Sequence, residues 1–313
     1  MAKVSVITTV KNEANSIKVF LDSLLAQSEL PDEIVITDGG STDESVEIIK
    51  DYIEKGIPIK LIVAKGANIS RGRNISIQNS SHDIIASTDV GCKLDRNWLR
   101  NIVRPFEEDP IVDVVGGFFK VAPETFFEEC VAALTGCPPE GTDPDAWLPS
   151  SRSIAFRKSA WEAVGGYPEW LDHGEDTFFA LQLRKAGFEF RNAEDAWVYW
   201  RPRSNLRALF RQYYGYARGD GRALVNPIGY MARAAIYGAM AGLLVLAKPS
   251  AFARILLGSL ATAYLGRRIL KAWRRVAKWP VLFIIPFLAI VNDLADISGY
   301  LRGVIEHFMT RRE

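Results

Sequence analysis

The sequence predicts an α/β protein: a doubly wound, mostly parallel sheet, followed by a C-terminal helical region associated with a membrane. Three observations carry this. Short β-branched runs alternate with amphipathic runs at helical spacing through the first hundred residues, the pattern of strand–helix–strand crossovers. The chain has 313 residues, 48% hydrophobic, with a formal net charge of +1, which is ample for a buried core and too apolar for disorder. Charge is also divided unevenly. From Arg201 onward there are 18 Lys+Arg against 5 Asp+Glu, and before it 20 against 32. An acidic first part joined to a basic, aliphatic last part points to two regions with different surroundings. The division is expected near residue 222: 1–222 as a catalytic domain and 223–313 as a membrane-associated helical region.

Val4–Val10 reads as the first strand, and Asn12 is placed to cap an amphipathic helix carrying Ile17, Phe20, Leu21, Leu24 and Leu25. Glu33–Thr37 is the second strand. Asp38-Gly39-Gly40-Ser41-Thr42-Asp43 closes it with turn chemistry, and Asp43 is expected to cap the helix of Val46, Ile49, Tyr52 and Ile53. Ile59–Ala64 and Asp83–Thr88 are two further strands, with a helix over Ile69–Asn79 between them. Past residue 120 the pattern loosens. Gly136–Pro149 is a loop with Glu140, Asp143, Asp145 and Trp147, a candidate acceptor-side lid or a plain surface loop. Ser150–Phe156 reads as a strand and Asp176–Ala186 as a helix ended by Gly187.

In the last third, Met231–Ala247, Ala251–Gly266 and Trp279–Val291 are apolar, but each is short or carries a charge near its end. None meets the roughly 20 residues of a clean membrane span. Between the second and third lies Arg267–Trp279, which is basic, amphipathic and tryptophan-bearing, as in a helix lying on an anionic membrane surface. Met1-Ala2-Lys3 leads directly into an apolar strand, so no secretory leader is expected. Cys92, Cys130 and Cys137 lack metal-ligand spacing, and three cysteines cannot all pair, which favours a reducing compartment.

Dinucleotide-binding, P-loop, zinc-protease and nucleophile-elbow signatures are absent. The basic part is interleaved with aliphatic runs, unlike a nucleic-acid groove, so no nucleic-acid partner is expected. Ligands of such sheets bind beyond the carboxyl ends of the strands, where this sequence puts Lys11-Asn12-Glu13, Asp38-Gly39-Gly40, Gly66 and Asp89-Val90-Gly91. Glu175-Asp176 extends an acidic series with Asp38 and Asp89. One such carboxylate can accept from a nucleobase or ribose, and another can hold a divalent cation against a diphosphate. Arg71 and Arg73 open a helix and either offer donors to phosphate oxygens or remain solvated surface charges.

In this order and spacing, Val4–Glu13, Asp38–Asp43, Gly72-Arg73-Asn74, Thr88–Gly91 and Gly174-Glu175-Asp176 resemble the family 2 glycosyltransferases, as do Phe156-Arg157 and Gly165-Gly166-Tyr167-Pro168. The resemblance covers about residues 3–200. It implies the A-type glycosyltransferase fold, an inverting mechanism, a nucleotide-sugar donor (UDP-, GDP- or dTDP-linked) and Mg2+ or Mn2+. The tail resembles that of members building exopolysaccharides or glycolipids, which implies a lipid or lipid-linked acceptor at the cytoplasmic membrane face. Thr9, Glu13 and Asp38 match positions that hold the donor's base and ribose, with Lys11 and Asn12 beside them. Arg73 matches the Arg of the family's Arg-Asn pair. Asp89 matches the first acid of its Asp-x-Asp motif and is the implied metal ligand. Asp176 matches the catalytic base, with Glu175 orienting the helix start or an acceptor hydroxyl.

Two departures stand out. Gly91 replaces the second acid, so metal dependence is weakened or a substitute such as Asp95 serves, unless Asp95 only caps the next helix. The Gln-x-x-Arg-Trp segment of processive relatives is here Gln212-Tyr213-Tyr214-Gly215-Tyr216, which argues for transfer of a single sugar. Arg157, Arg211 and Arg218 are candidates for the acceptor or diphosphate side, the last two equally for lipid headgroups. A catalytically silent nucleotide-binding module is the alternative, favoured by Gly91 and disfavoured by an intact Glu175-Asp176. A sugar nucleotidyltransferase would carry a Gly-rich basic loop after the first strand, which Thr8–Glu13 is not.

Overall fold

The computed structural model describes residues 2–135 and 147–310. The chain forms two compact units, Met1–Ala122 with Cys137–Arg201, and Pro123–Gly136 with Pro202–Glu313. By packing, the boundary falls after Arg201 rather than at 222.

In the first unit an eight-stranded sheet runs β3-β2-β1-β4-β7-β6-β8-β5. Its strands are β1 (Val4–Val10), β2 (Glu33–Asp38), β3 (Ile59–Val63), β4 (Ile84–Ser87), β5 (Cys92–Leu94), β6 (Val114–Val121), β7 (Ile154–Arg157) and β8 (Phe190–Trp200). The first four pair in parallel, as their alternation with helices requires. The other half is mixed. β7 is antiparallel to β4 and β6, β8 is parallel to β6, and β5 is antiparallel to β8. The start of β7 therefore lies at the carboxyl ends of the parallel strands, and its last residue at their amino ends.

Both sheet faces are covered, because strand residues alternate. Val4, Val6, Ile34 and Ile36 pack with α1 (Ile17–Leu25), α2 (Ser45–Glu54) and α4 (Trp98–Glu108). Ile7, Val35 and Ile85 pack with α3 (Ile69–Gln78), α6 (Lys158–Ala163) and α7 (Glu175–Lys185). Each such side chain contributes roughly 1.5–3 kcal/mol by leaving water. Two expected caps differ. Asn12 does not cap α1, which starts after Ser16; it has φ 58° and its Oδ1 accepts from the Thr42 N–H at 2.8 Å, tying the first loop to the second. Asp43 accepts from the Ser45 N–H at 3.1 Å and reaches across to the Ala14 N–H at 3.1 Å.

The second unit is helical: α5 (Phe126–Leu134), α8 (Leu206–Ala223), α9 (Pro227–Leu246), α10 (Ala251–Val276) and α11 (Val281–Thr310). A full capping box between Thr125 and Glu128 starts α5. Cys130 and Val131 of α5 share a core with Leu209, Ala272, Val281, Ile285 and Leu288. Along α8 and α11, Gly221, Gly299 and Gly303 each meet the facing helix's backbone directly. This close approach is why α8 belongs with the tail. One buried carboxylate, Asp293 of α11, accepts from the Tyr237 hydroxyl (2.9 Å), the Tyr264 hydroxyl (2.9 Å) and the Arg268 guanidinium (2.8 and 3.0 Å), so α9 and α10 converge on it. The run-by-run expectation of no clean span is corrected by helix length. Pro227–Leu246 and Val281–Met309 are continuous helices long and apolar enough to cross a membrane.

Candidate active site

At the carboxyl ends of β1, β2 and β4 the first unit gathers the expected polar groups. Asp38, 1% exposed, accepts from the backbone N–H groups of Gly40 and Ser41 at 2.9–3.1 Å, so its carboxylate shapes the loop after β2. Across from it, the Glu13 N–H donates to Ser45 Oγ at 2.8 Å, and the Glu13 carboxylate accepts from the Ser16 hydroxyl. Lys11 and Asn12 are exposed beside them. The start of α3 is pressed onto β1: a Cβ on Gly72 would collide with Thr9 Oγ1. Asn68 caps α3 by accepting from the Arg71 N–H at 3.0 Å, and the Arg71 side chain stays exposed.

Arg73 is the organising residue. It is 1% exposed, and its guanidinium donates to Asp89 Oδ1 at 2.7 Å and to Glu175 Oε1 at 2.6 Å, with the Tyr167 ring 5.3 Å from its carbon. Burial alone would discharge it; Asp89 and Glu175 more than offset this and raise its pKa, fixing the charge. Glu175 is pushed up to about 7, first by burial and then by the neighbouring Asp176 charge, with Arg73 opposing. The reason both rise is that Arg73 faces several acids while Glu175 shares its single cation with Asp89. Asn74, next in sequence, serves the opposite partner: its Oδ1 accepts from the Tyr167 N–H (2.8 Å) and Trp161 Nε1 (3.0 Å), and its Nδ2 donates to the Tyr167 carbonyl (2.9 Å). The Arg-Asn pair thus joins the acidic rim to the Gly165-Gly166-Tyr167 turn.

Asp176 stands in the first turn of α7, half-buried, and accepts from the Ser151 N–H at 3.4 Å and its neighbour Thr177 N–H at 2.8 Å. Ser151 Oγ pairs with the Tyr167 hydroxyl at 2.8 Å. One network therefore runs from Asp89 through Arg73 to Glu175, and from Tyr167 through Ser151 to Asp176. The sequence reading gave Ser151 and Tyr167 no role of their own, although Ser151 fell in the run Ser150–Phe156 and Tyr167 in the motif Gly165-Gly166-Tyr167-Pro168; their hydrogen bond joins positions 16 residues apart that no spacing pairs.

Other expected site residues lie elsewhere. Arg157, the last residue of β7, is opposite Ile84 at the amino end of β4, where it binds Asp83, the Val112 carbonyl and the Pro110 carbonyl. The antiparallel direction of β7 removes it from the rim. Asp95 accepts from the Asn97 N–H (3.1 Å) and the Tyr199 hydroxyl (3.3 Å), the role of a helix-start turn. Arg211 and Arg218 belong to α8 of the second unit, Arg211 exposed and Arg218 2.8 Å from Glu306. In that helix Gln212 Nε2 donates to the Tyr216 hydroxyl at 3.0 Å. Of the candidate lid, Glu140, Asp143 and Asp145 lie outside the described residues, and Trp147 stacks on Phe118 at 4.7 Å.

Two family models match successive parts of the chain: glycosyl transferase family 2 over residues 5–140, and glycosyl transferase family group 2 over residues 144–291. The chain belongs to the family 2 glycosyltransferases. Among curated relatives of this glycosyltransferase, the succinoglycan biosynthesis protein ExoA of Rhizobium meliloti is 25% identical over 224 residues, 67% of each chain. The O-antigen chain rhamnosyltransferase RfbN of Salmonella typhimurium is 25% identical over 224 residues, 68% of this chain and 70% of the relative. In fold it is similar to the mannosyltransferase PcManGT of Pyrobaculum calidifontis, solved with GDP-Man and Mn2+ (TM-score 0.59, 18% identity, 99% of this chain and 88% of that one). It is likewise similar to S. aureus TarS solved with UDP (0.53, 19%, 99% and 92%). The A-type glycosyltransferase fold follows.

For a metal, the donor set is sparse. Among the described residues no three His, Cys, Asp or Glu side chains converge. Asp89 is the rim acid at the expected position, and a Cβ at Gly91 would point into open space. One carboxylate suits a hard cation that takes its other ligands from phosphate and water.

Proposed function

We propose that this glycosyltransferase moves one sugar, with inversion, from a nucleotide-diphosphate sugar to a lipid-linked saccharide or polyprenyl phosphate at the cytoplasmic membrane face. The observation that carries the reading is the single network joining Asp89, Arg73, Glu175 and Asp176 at the carboxyl ends of β1 and β4. Asp176 takes the proton of the acceptor hydroxyl as that oxygen attacks the anomeric carbon from the side opposite the diphosphate, and the bond to the diphosphate breaks. Thr9, Lys11, Asn12, Glu13 and Asp38 form the nucleoside end of the site, and Arg71 and Arg73 its phosphate end. A divalent cation, when bound, neutralises charge on the leaving diphosphate; Asp89 is the residue that would hold it.

Transfer of a single sugar is favoured by the missing Arg-Trp pair at Gly215-Tyr216. The membrane is favoured by α9 and α11, and its cytoplasmic face by the basic run from Arg267 to Arg275 in the C-terminal part of α10. The test is release of nucleoside diphosphate from UDP-, GDP- and dTDP-sugars by the full chain in lipid, beside Asp176→Asn. One donor should be turned over, and the variant should lose roughly a hundredfold or more. Retained turnover would overturn the assignment of the base. Gly91 favours a second reading, a catalytically silent nucleotide-binding module; tight donor binding without release under every acceptor condition would establish it.

A further inference from the structure

We propose that Tyr167 and Ser151 are positioning residues for the base: their paired hydroxyls fix the direction of the Asp176 carboxylate. This rests on the reading of Asp176 as base given above. Asp176 lies in the first turn of α7, and the residue at the N-cap is Gly174, which has no side chain to cap the helix. A carboxylate there is drawn to the open N–H groups of its own turn, and Asp176 Oδ1 does accept from the Thr177 N–H at 2.8 Å. The second oxygen goes elsewhere. Oδ2 accepts from the Ser151 N–H at 3.4 Å, a donor 25 positions away along the chain. One oxygen is thus tied to the helix and the other to the Ser151 turn. With about four acceptor positions on a carboxylate, room is left for an acceptor hydroxyl.

Whatever holds Ser151 therefore aims the base. Ser151 Oγ pairs with the Tyr167 hydroxyl at 2.8 Å, and its carbonyl accepts from the Ser87 hydroxyl at 3.5 Å. Tyr167 is locked in turn. Its backbone N–H and carbonyl are both taken by Asn74, at 2.8 and 2.9 Å. Its ring stacks on Phe179 with centroids 4.1 Å apart and 27° between the planes. Phe179 stands on α7 one turn beyond Asp176. Tyr167 accordingly grips the helix bearing the base through its ring, and the turn bearing the base's donor through its hydroxyl. Burial raises its phenol above the ordinary tyrosine value, so the group stays a hydroxyl.

Packing alone does not call for these two oxygens. Tyr167 sits among Phe156, Phe179 and Leu183 in an apolar cluster, where a phenylalanine would fill nearly the same space. Removing both partners of a buried hydrogen bond is close to neutral for stability. What the pair supplies is direction, because a hydrogen bond is angular. Direction matters to a base, since a misplacement of about 1 Å costs on the order of a hundredfold in rate.

The experiment compares the full chain in lipid as wild type, Tyr167→Phe, Ser151→Ala and the double variant, with kcat measured on the donor that wild type turns over. Nucleoside-diphosphate binding, thermal unfolding and hydrogen exchange of the Ser151 amide are measured alongside. A loss of about tenfold in kcat for each single variant, and no further loss in the double, supports the proposal when nucleotide affinity and melting stay at wild-type values. Faster exchange of the Ser151 amide in Tyr167→Phe is expected with it. Wild-type kcat in both single variants, losses that multiply in the double, or a fall in kcat matched by equal falls in nucleotide affinity and melting temperature overturns it. Should Tyr167→Phe unfold, Ser151→Ala decides, and wild-type kcat there overturns the proposal. Asp176→Asn in the same series separates this from the wider reading. Retained turnover in that variant means that Asp176 is not the base, and the positioning role falls with it; lost turnover beside unchanged Tyr167 and Ser151 variants removes the positioning role alone.

Discussion

Gly72 and Thr9 show how tightly the donor end is built. With α3 resting on the Thr9 side chain, Gly72→Ala must push the helix or the threonine aside, an overpacking that costs about 1–3 kcal/mol. It should lower the melting temperature and weaken nucleotide binding together, and Thr9→Ala in the same chain should restore part of both; independent, additive losses would contradict the contact. Glu175 carries a pH signature. Its folded pKa is raised above the ordinary glutamate value, so the native state binds the proton that the unfolded chain has released. Its contribution to stability is present below the unfolded pKa and is lost as pH rises toward about 7. Urea midpoints from pH 4 to 8 should show this fall in wild type and lack it in Glu175→Gln, a comparison that cancels other titrating groups. At this scale the acids of the rim were legible in the sequence, because Asp38 and Asp89 stand at strand ends and Glu175-Asp176 open a helix. Their bridging was not: the contacts of Arg73 with Asp89 and Glu175 depend on distances that no spacing encodes.

At the scale of elements, strand and helix existence in the first hundred residues followed from periodicity, while strand direction in the second half did not. Arg157 was expected near the substrate, yet the antiparallel run of β7 carries it to the amino end of β4. A short apolar strand reads the same in either direction, so only pairing reveals which end meets the rim. The helices tell a similar story. Composition suggested an independent tail from residue 223, but Gly299 and Gly303 seat α11 directly on the backbone of α8, joining α8 to the tail. Gly303→Leu has no room for its side chain and should separate α8 from α11, costing on the order of 3 kcal/mol. Melting of the detergent-solubilised chain checks it, and Gly242→Leu, where a Cβ meets nothing, is the matched control expected to be nearly silent.

For the molecule as a whole, the uneven charge and the exposed apolar helices describe one condition. The 20-residue helix α9 has no buried residue, and Ile228, Met231, Leu244, Val245 and Leu246 are more than half exposed. Phe283, Phe287 and Met309 of α11 are likewise exposed. Exposed apolar surface in water seldom exceeds a few hundred Å², whereas hydrocarbon about 30 Å thick matches a helix of this length. The basic face is separate: Arg267, Lys271 and Arg274 are exposed on α10 beside Leu270 and Trp273, suited to anionic headgroups at about 1 kcal/mol per charge. The two contributions respond differently to solution conditions, since salt screens the second and leaves the first. Membranes containing the full chain should therefore retain it through washes in high salt and in alkaline carbonate, and release it only to detergent. Replacing Arg267, Lys271 and Arg274 with Gln should leave that retention intact while reducing the preference for anionic over neutral vesicles during reconstitution. Release by carbonate would mean that α9 and α11 lie against protein rather than in lipid, and release by salt alone would leave the basic face as the entire attachment.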